Sequence, residues 1–130
     1  MNIVQVADPL EWDRWPEAER LLDPARTRGD FEKCIEPDEA LLAVLDGDRL
    51  LACATIWHST EGFFEVKLVG GTDRHLWLAE MEQVIGDAAR QAGAAELRAW
   101  GRRGWAKQLG AMGWAAFPID KQTNGYVKRL

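Results

Sequence analysis

The sequence predicts an α/β fold (α+β in some schemes): a mixed, mostly antiparallel sheet flanked by helices. From Ala40 onward, apolar runs typical of strands alternate with short turns that contain glycine. Only Asp73–Ala92 carries its apolar residues at helical spacing over a long stretch. Because this helix separates two predicted strands, Phe63–Val69 and Glu96–Trp100, those strands can be parallel neighbours. We expect one domain, residues 1–130, since this length can bury a sizeable core.

Composition and charge restrict the class of protein. The formal net charge of −5 argues against a general nucleic-acid binder, which usually carries excess positive charge. No apolar run approaches the roughly 18 residues of a membrane helix, and no basic segment precedes an apolar run at the N-terminus. We therefore expect a cytoplasmic protein with no membrane partner. The two histidines and two cysteines do not have the sequence spacing that is typical of zinc ligands, so we expect no metal.

The N-terminal part reads as short helices and a loop. Asp8–Glu11 is typical of a helix start, with Asp8 as the cap and a proline at the first helical position. A second proline interrupts this pattern, so we expect a separate helix over Pro16–Leu22. Asp23–Gly29 contains a proline, charged residues and a glycine, and is therefore expected to be a loop.

Two apolar runs, Ala40–Leu45 and Leu50–Trp57, flank the hairpin signal Asp46-Gly47-Asp48. Both runs are apolar on both faces at their centres, which indicates a sheet covered on both sides. Near the C-terminus, Ala115–Pro118 and Thr123–Leu130 are predicted as short terminal strands. Between the last long strand and these two, we expect a short basic helix that places Trp105 in the core.

A glycine pair lies where the strand Phe63–Val69 meets the long helix, for which Asp73 is the predicted N-cap. Backbone N–H groups at a helix N-terminus can hold an anion, and glycines allow a ligand to approach the backbone closely. The candidate anion-binding residues are Val69, Gly70, Gly71, Thr72, Arg74 and His75.

This order of elements resembles the acetyl-CoA-dependent N-acetyltransferase (GNAT) fold. The run Gly101-Arg102-Arg103-Gly104-Trp105, together with Gly113-Trp114 and the terminal Val127–Leu130, is similar to small acetyltransferase-like proteins of tailed phages. Most of those proteins have no assigned activity. The resemblance therefore implies the fold more than a reaction.

The resemblance implies acetyl-CoA as cofactor, with its pyrophosphate on the amides of a Gln/Arg-x-x-Gly-x-Gly/Ala loop. The corresponding segment here begins at Gly70 and departs from that pattern. Its spacing differs, Leu76-Trp77 replaces small residues, and Asp73 adds a carboxylate that would repel phosphate. An acyl-CoA-binding loop and a degenerate loop both remain open, and these departures favour the degenerate one.

Catalytic residues of the family are only partly present. Working enzymes often carry a tyrosine on the last helix that protonates the leaving thiolate, but Leu109 occupies that position and Tyr126 lies on the final strand. Glu65 is the candidate general base, since superfamily enzymes sometimes place a base on this strand. The alternative, which we favour from sequence, is a solvent-exposed polar face that pairs Glu65 with Lys67. His58 and His75 are weaker candidates for the base.

Two function hypotheses follow. The first is a phage-related acetyltransferase-like protein that either keeps an acyl-CoA-dependent N-acyltransferase activity or has lost it, and the second is a non-enzymatic binding or assembly module on the same fold. In the second, a protein partner would meet the basic cluster formed by Arg102, Arg103 and Lys107. The missing tyrosine favours the second hypothesis, whereas the resemblance favours the first.

Overall fold

Seven strands and three helices make up the fold in a computed structural model that describes all 130 residues. The strands are β1 (Asn2–Val6), β2 (Glu39–Asp46), β3 (Arg49–His58), β4 (Phe63–Gly71), β5 (Glu96–Arg102), β6 (Ala115–Pro118) and β7 (Thr123–Arg129). The helices are α1 (Trp15–Arg28), α2 (Arg74–Gln91) and α3 (Ala106–Ala111), with 3-10 turns at Pro9–Glu11 and Arg103–Trp105.

The strands form one sheet in the order β1-β2-β3-β4-β5-β7-β6, which confirms the predicted fold class. The pairs β1–β2, β2–β3, β5–β7 and β6–β7 are antiparallel. The pair β4–β5 is parallel, with α2 as its connection, as the sequence predicts. Its ladder runs from Phe63–Glu96 to Val66–Ala99, and both strands continue beyond the last pair.

The chain packs as two units. The first contains Met1–Trp57 and Lys67–Met81, and the second contains His58–Val66 and Glu82–Leu130. In the first unit, α1 packs on the sheet through a buried cluster of Ala18, Leu22, Cys34, Ile35, Leu41, Ala43, Leu50, Cys53 and Leu68. The centres of β2 and β3 are buried at every position, so the prediction that both faces are covered is confirmed.

Helix α1 corrects the predicted loop over Asp23–Gly29, because the helix continues to Arg28 with Pro24 in its interior. An interior proline costs about 3 kcal/mol, since it removes one helical hydrogen bond and crowds the preceding turn. Ala18 and Leu22 are fully buried on the same helix and offset this cost.

The start of the N-terminal segment also differs from the prediction. Asp8 occupies the N-cap position, as predicted, but its backbone is left-handed (φ 48°) and its side chain makes no capping hydrogen bond. The segment after it is one 3-10 turn instead of an α-helix. None of the helices in the protein is both long and apolar enough to cross a membrane.

In the second unit, the carboxylate of Glu82 ties three segments together. Its Oε2 accepts a hydrogen bond of 2.9 Å from the indole Nε1 of Trp114. Its Oε1 accepts one from the Nζ of Lys128, which also donates to the Met112 carbonyl at 2.8 Å. The half of α2 that belongs to this unit is thereby fixed to β7 and to the segment that follows α3.

Trp105 is not a core residue, which corrects the sequence prediction. It is half-buried, and α3 contains no buried residue. The fully packed tryptophans are Trp77, which is 2 % exposed, and Trp114, which is 8 % exposed. The spacing of apolar residues suggests a buried face that begins at Trp105. The observed segment is a 3-10 turn followed by a six-residue helix, and neither buries a residue completely.

Candidate active site

The glycine pair at the end of β4 is enclosed by the chain's own backbone. A Cβ added to Gly70 would lie 1.8 Å from the carbonyl oxygen of Leu21 in α1. A Cβ added to Gly71, whose φ is +153°, would lie 2.4 Å from the carbonyl oxygen of Leu51 in β3. Packing within the first unit therefore requires both glycines. This packing explains the two glycines without a ligand.

The residue after the glycines is fixed on both sides. The N–H of Thr72 donates a hydrogen bond of 2.9 Å to the Leu51 carbonyl. The Thr72 carbonyl accepts a hydrogen bond of 2.7 Å from the indole Nε1 of Trp77. Trp77 is buried, so this second bond anchors the loop to the first turn of α2. The Thr72 amide is consequently not available to an anion. The exposed first turn of α2 still presents N–H groups without helical acceptors.

Asp73 immediately precedes α2 and has a left-handed backbone with φ 55°. Non-glycine residues seldom adopt this conformation, although aspartate tolerates it better than most. Its carboxylate lies 3.7 Å from the guanidinium of Arg49, which offsets part of the negative charge beside the loop. Arg74 and His75 follow, and both side chains are exposed. The structure thus keeps the predicted loop residues together at the start of α2.

Glu65 lies on β4 and is half-buried. Its Oε1 accepts a hydrogen bond of 2.8 Å from the indole Nε1 of Trp100, a residue of β5 that is 35 positions away in sequence. The expected pairing with Lys67 is absent, because the Nζ of Lys67 binds the carboxylate of Glu39 at 2.6 Å. The favoured interpretation of a Glu65–Lys67 ion pair is therefore wrong.

The other cation near Glu65 is also engaged. Arg98 is the cross-strand partner of Glu65 in the parallel ladder. Its guanidinium binds Glu96 at 2.5 Å and stacks on the ring of Phe63, 3.8 Å from the ring centroid. The carboxylate of Glu65 is therefore hydrogen-bonded by a neutral donor and is not paired with a cation. Such a carboxylate can accept a proton from a reacting group.

Tyr126 cannot supply the missing acid, because it is only 1 % exposed. Its hydroxyl donates to the Arg102 carbonyl at 2.6 Å, so the proton is used inside the fold. Leu109, at the position that the family's tyrosine would take, is half-buried in α3. His58 is exposed and its ring packs against that of Phe64, with 4.5 Å between ring centroids.

The basic cluster of Arg102, Arg103 and Lys107 is exposed in the second unit. Arg103 donates to the carbonyl of Asp120. The backbone N–H groups of Gln122 and Thr123 hydrogen-bond the carboxylate of this aspartate and lower its pKa. The turn between β6 and β7 is thereby ordered next to Arg103. The side chains of Arg102 and Lys107 extend into solvent.

The sequence analysis did not find a groove of about 800 Å³ in the first unit. It lies between the Pro9–Glu11 turn, α1 and the segment before β2. Its lining includes two basic residues, Arg26 and Lys33, and seven acidic residues, Asp8, Glu11, Glu19, Asp23, Glu32, Glu36 and Glu39. No local signal indicates this groove, because its walls come from three separate segments. No group of three or more acidic, histidine or cysteine side chains in the protein could hold a metal ion.

No protein-family model matches the sequence, and no curated protein matches it. Solved structures do match. Tetrahymena GCN5 aligns with a TM-score of 0.73 at 7 % identity, covering 99 % of this chain and 96 % of its own. A GNAT family acetyltransferase from Elizabethkingia anophelis with acetyl-CoA bound gives 0.71 at 10 % identity, covering 99 % and 97 %. A Bacillus subtilis acetyltransferase in complex with CoA gives 0.67 at 12 % identity, covering 98 % and 97 %. These likenesses show that the chain has the GNAT acetyltransferase fold.

Proposed function

We propose that this protein is an acyl-CoA-dependent N-acyltransferase that uses Glu65 as its general base. The observation that carries the proposal is the state of Glu65, a half-buried carboxylate on β4 that is bound by a neutral indole and by no cation. The fold supports it, since solved structures of the same fold include one with acetyl-CoA and one with CoA. We also propose that the protein is related to the acetyltransferase-like proteins of phages and acts in the cytoplasm.

The first turn of α2 is the part of the loop that fits a pyrophosphate. Its N–H groups carry the positive end of the helix dipole, and Arg74 and His75 are exposed beside them. The Thr72 amide does not contribute, because it donates to the Leu51 carbonyl, and the α-carbons of the glycine pair pack against the protein's own backbone. Acetyl-CoA, bound there, would supply an acetyl group activated as a thioester.

Glu65 would accept the proton of the acceptor's amine, so that the amine nitrogen can attack the thioester carbonyl. The carboxylate oxygen that is not bound to Trp100 is the one available for this proton. The leaving thiolate would take its proton from solvent, because Tyr126 is buried and Leu109 cannot donate. Catalysis without a positioned acid is compatible with a low turnover, since such an acid contributes roughly 10²–10⁴-fold.

The direct test is release of free CoA from acetyl-CoA in the presence of a panel of primary amines. We expect Glu65→Gln to reduce the rate at least about 100-fold, because an amide cannot accept the proton. The increase in melting temperature caused by acetyl-CoA should not change. Glu80→Gln, at an exposed position of α2, is the matched control and should retain the rate. An active Glu65→Gln variant would exclude Glu65 as the base.

Acetyl-CoA binding has its own prediction. We expect millimolar acetyl-CoA to raise the melting temperature of the parent slightly, and that of Asp73→Asn by more. Asparagine tolerates the left-handed backbone of this position, and it removes a negative charge next to the N-terminus of α2. A ligand at a hundredfold excess over its dissociation constant adds about 2.7 kcal/mol to the free energy of unfolding. Equal shifts in the two proteins would show that the loop does not receive the phosphates.

A second candidate function is a binding or assembly module without catalysis. The observation that favours it is the absence of a proton donor, because Leu109 replaces the tyrosine and Tyr126 is buried. The exposed Arg102, Arg103 and Lys107 would then meet a protein partner. No change in melting temperature with acetyl-CoA, for the parent and for Asp73→Asn, would favour this function over the first.

A further inference from the structure

We infer that Trp100 is the positioning residue for Glu65, holding the carboxylate in the orientation that accepts the acceptor's proton. The inference rests on the proposed function, since it assigns a role within that same site. It concerns one contact, the 2.8 Å hydrogen bond from the indole Nε1 of Trp100 to Oε1 of Glu65.

The register of the parallel strands creates this contact. Glu65 pairs with Arg98, and Trp100 lies two residues further along β5, so its side chain emerges on the same face. The indole crosses to the neighbouring strand and reaches the carboxylate. A tryptophan N–H can only donate and carries no charge. It can therefore fix one carboxylate oxygen without neutralising the carboxylate. An arginine or lysine at this place would neutralise it.

Packing does not explain the position of Trp100. The side chain is 52 % exposed, in contrast to the buried Trp77 and Trp114. A partly exposed hydrogen bond of this kind contributes little to the stability of the fold. Arg98, the alternative group that could orient Glu65, is held by Glu96 and stacked on a ring. Trp100 is thus the group that restricts the rotation of the carboxylate.

Restricting the carboxylate matters because proton transfer requires the oxygen within hydrogen-bond reach of the acceptor's nitrogen. With Oε1 held by the indole, Oε2 is the oxygen that remains for the amine. A side chain without this bond would distribute over several rotamers, and only a fraction of them would be productive. The loss should appear in kcat and leave the affinity for acetyl-CoA unchanged.

The test compares three variants in the CoA-release assay. Trp100→Phe keeps a ring and removes the donor, and Trp100→Gln keeps a donor and removes the ring. The control is Trp57→Phe, which removes a similar indole–carboxylate bond, the 3.0 Å contact with Asp38. We expect Trp100→Phe to lower kcat at least tenfold with KM for acetyl-CoA within twofold, Trp100→Gln to recover most of the rate, and Trp57→Phe to match the parent.

The indole N–H signals in a nitrogen–proton correlation spectrum give a readout that is independent of activity. The signal lost in Trp100→Phe identifies Trp100. It should move in Glu65→Gln, which replaces the charged acceptor with a neutral amide, and it should stay in place in Glu80→Gln. A signal that keeps its parent position in Glu65→Gln would show that the contact is absent and would overturn the inference.

The remaining outcomes separate the inference from the function on which it rests. If the parent is active and Trp100→Phe retains its kcat within twofold, the positioning role is wrong and the acyltransferase function stands. If Trp100→Gln is as slow as Trp100→Phe, the ring and not the donor is required, which also overturns the inference. If no amine causes CoA release from the parent, the proposed function fails and the positioning role fails with it.

Discussion

Replacing Gly70 with alanine should destabilise this protein more than replacing any of its other glycines with alanine. The new Cβ would lie 1.8 Å from the carbonyl oxygen of Leu21 and 2.6 Å from its carbonyl carbon. These are backbone atoms of α1, so no side-chain rotation can relieve the overlap and the whole helix must move away from β4. We expect a loss of at least about 3 kcal/mol in the free energy of unfolding. At this chain length that corresponds to a fall of about 10 °C in melting temperature.

The matched control is Gly86→Ala in α2. There the new Cβ would find only ordinary contacts, 3.5 Å from Arg90 and 3.7 Å from Leu130. Because alanine favours a helix over glycine by about 1 kcal/mol, we expect this variant to melt at or above the parent temperature. Thermal unfolding followed by circular dichroism compares the two. A Gly70→Ala protein that melts with the parent would contradict the close approach of α1 to β4.

Trp77→Ala is the second change with a large expected effect. The side chain is 2 % exposed, and its indole also binds the Thr72 carbonyl at 2.7 Å. Truncating a buried tryptophan to alanine costs about 3–5 kcal/mol, which is a large share of a typical total stability. Chemical denaturation should therefore show a much lower midpoint for Trp77→Ala.

Trp105→Ala serves as the comparison, because Trp105 is half-buried and lies in a 3-10 turn at the surface. We expect it to lose clearly less stability than Trp77→Ala. Trp77→Phe separates packing from the hydrogen bond, since it fills most of the space and leaves the Thr72 carbonyl without its indole donor. Its cost should be about 1–3 kcal/mol. Equal losses for Trp77→Ala and Trp105→Ala would contradict the difference in burial.

The strands and α2 could be predicted because their signals are local. The apolar runs of β2 and β3 flank a strong turn signal, and the period of α2 changes clearly after β4. The crossover length then fixed the parallel pairing of β4 with β5. Helix α1 was missed beyond Leu22 because Pro24 normally ends a helix. What keeps the helix intact is packing against β2 and β3, which no window of sequence contains.

The candidate site was predictable in its parts but not in its contacts. Glu65 could be named from its strand, yet its partner Trp100 is 35 residues away and becomes a neighbour only through the register of β4 and β5. The pairing of Lys67 with Glu39 depends in the same way on the neighbours of β4. The packing role of the glycine pair is hidden from the sequence for a similar reason. Gly70 is required by the close approach of α1, and the residues that flank Gly70 in sequence do not indicate this approach.

The bonds around Thr72 have a consequence for conformational entropy. Its amide is held by Leu51 and its carbonyl by Trp77, so the backbone of this loop is ordered by the fold alone. A ligand that binds at the start of α2 would not have to order it, and the entropic cost of loop closure would be absent from its affinity. The same property works in the other direction. Because the loop does not need a ligand to keep its shape, mutations that abolish binding would leave that shape intact, and a descendant of an active enzyme could conserve the loop long after it had lost its ligand.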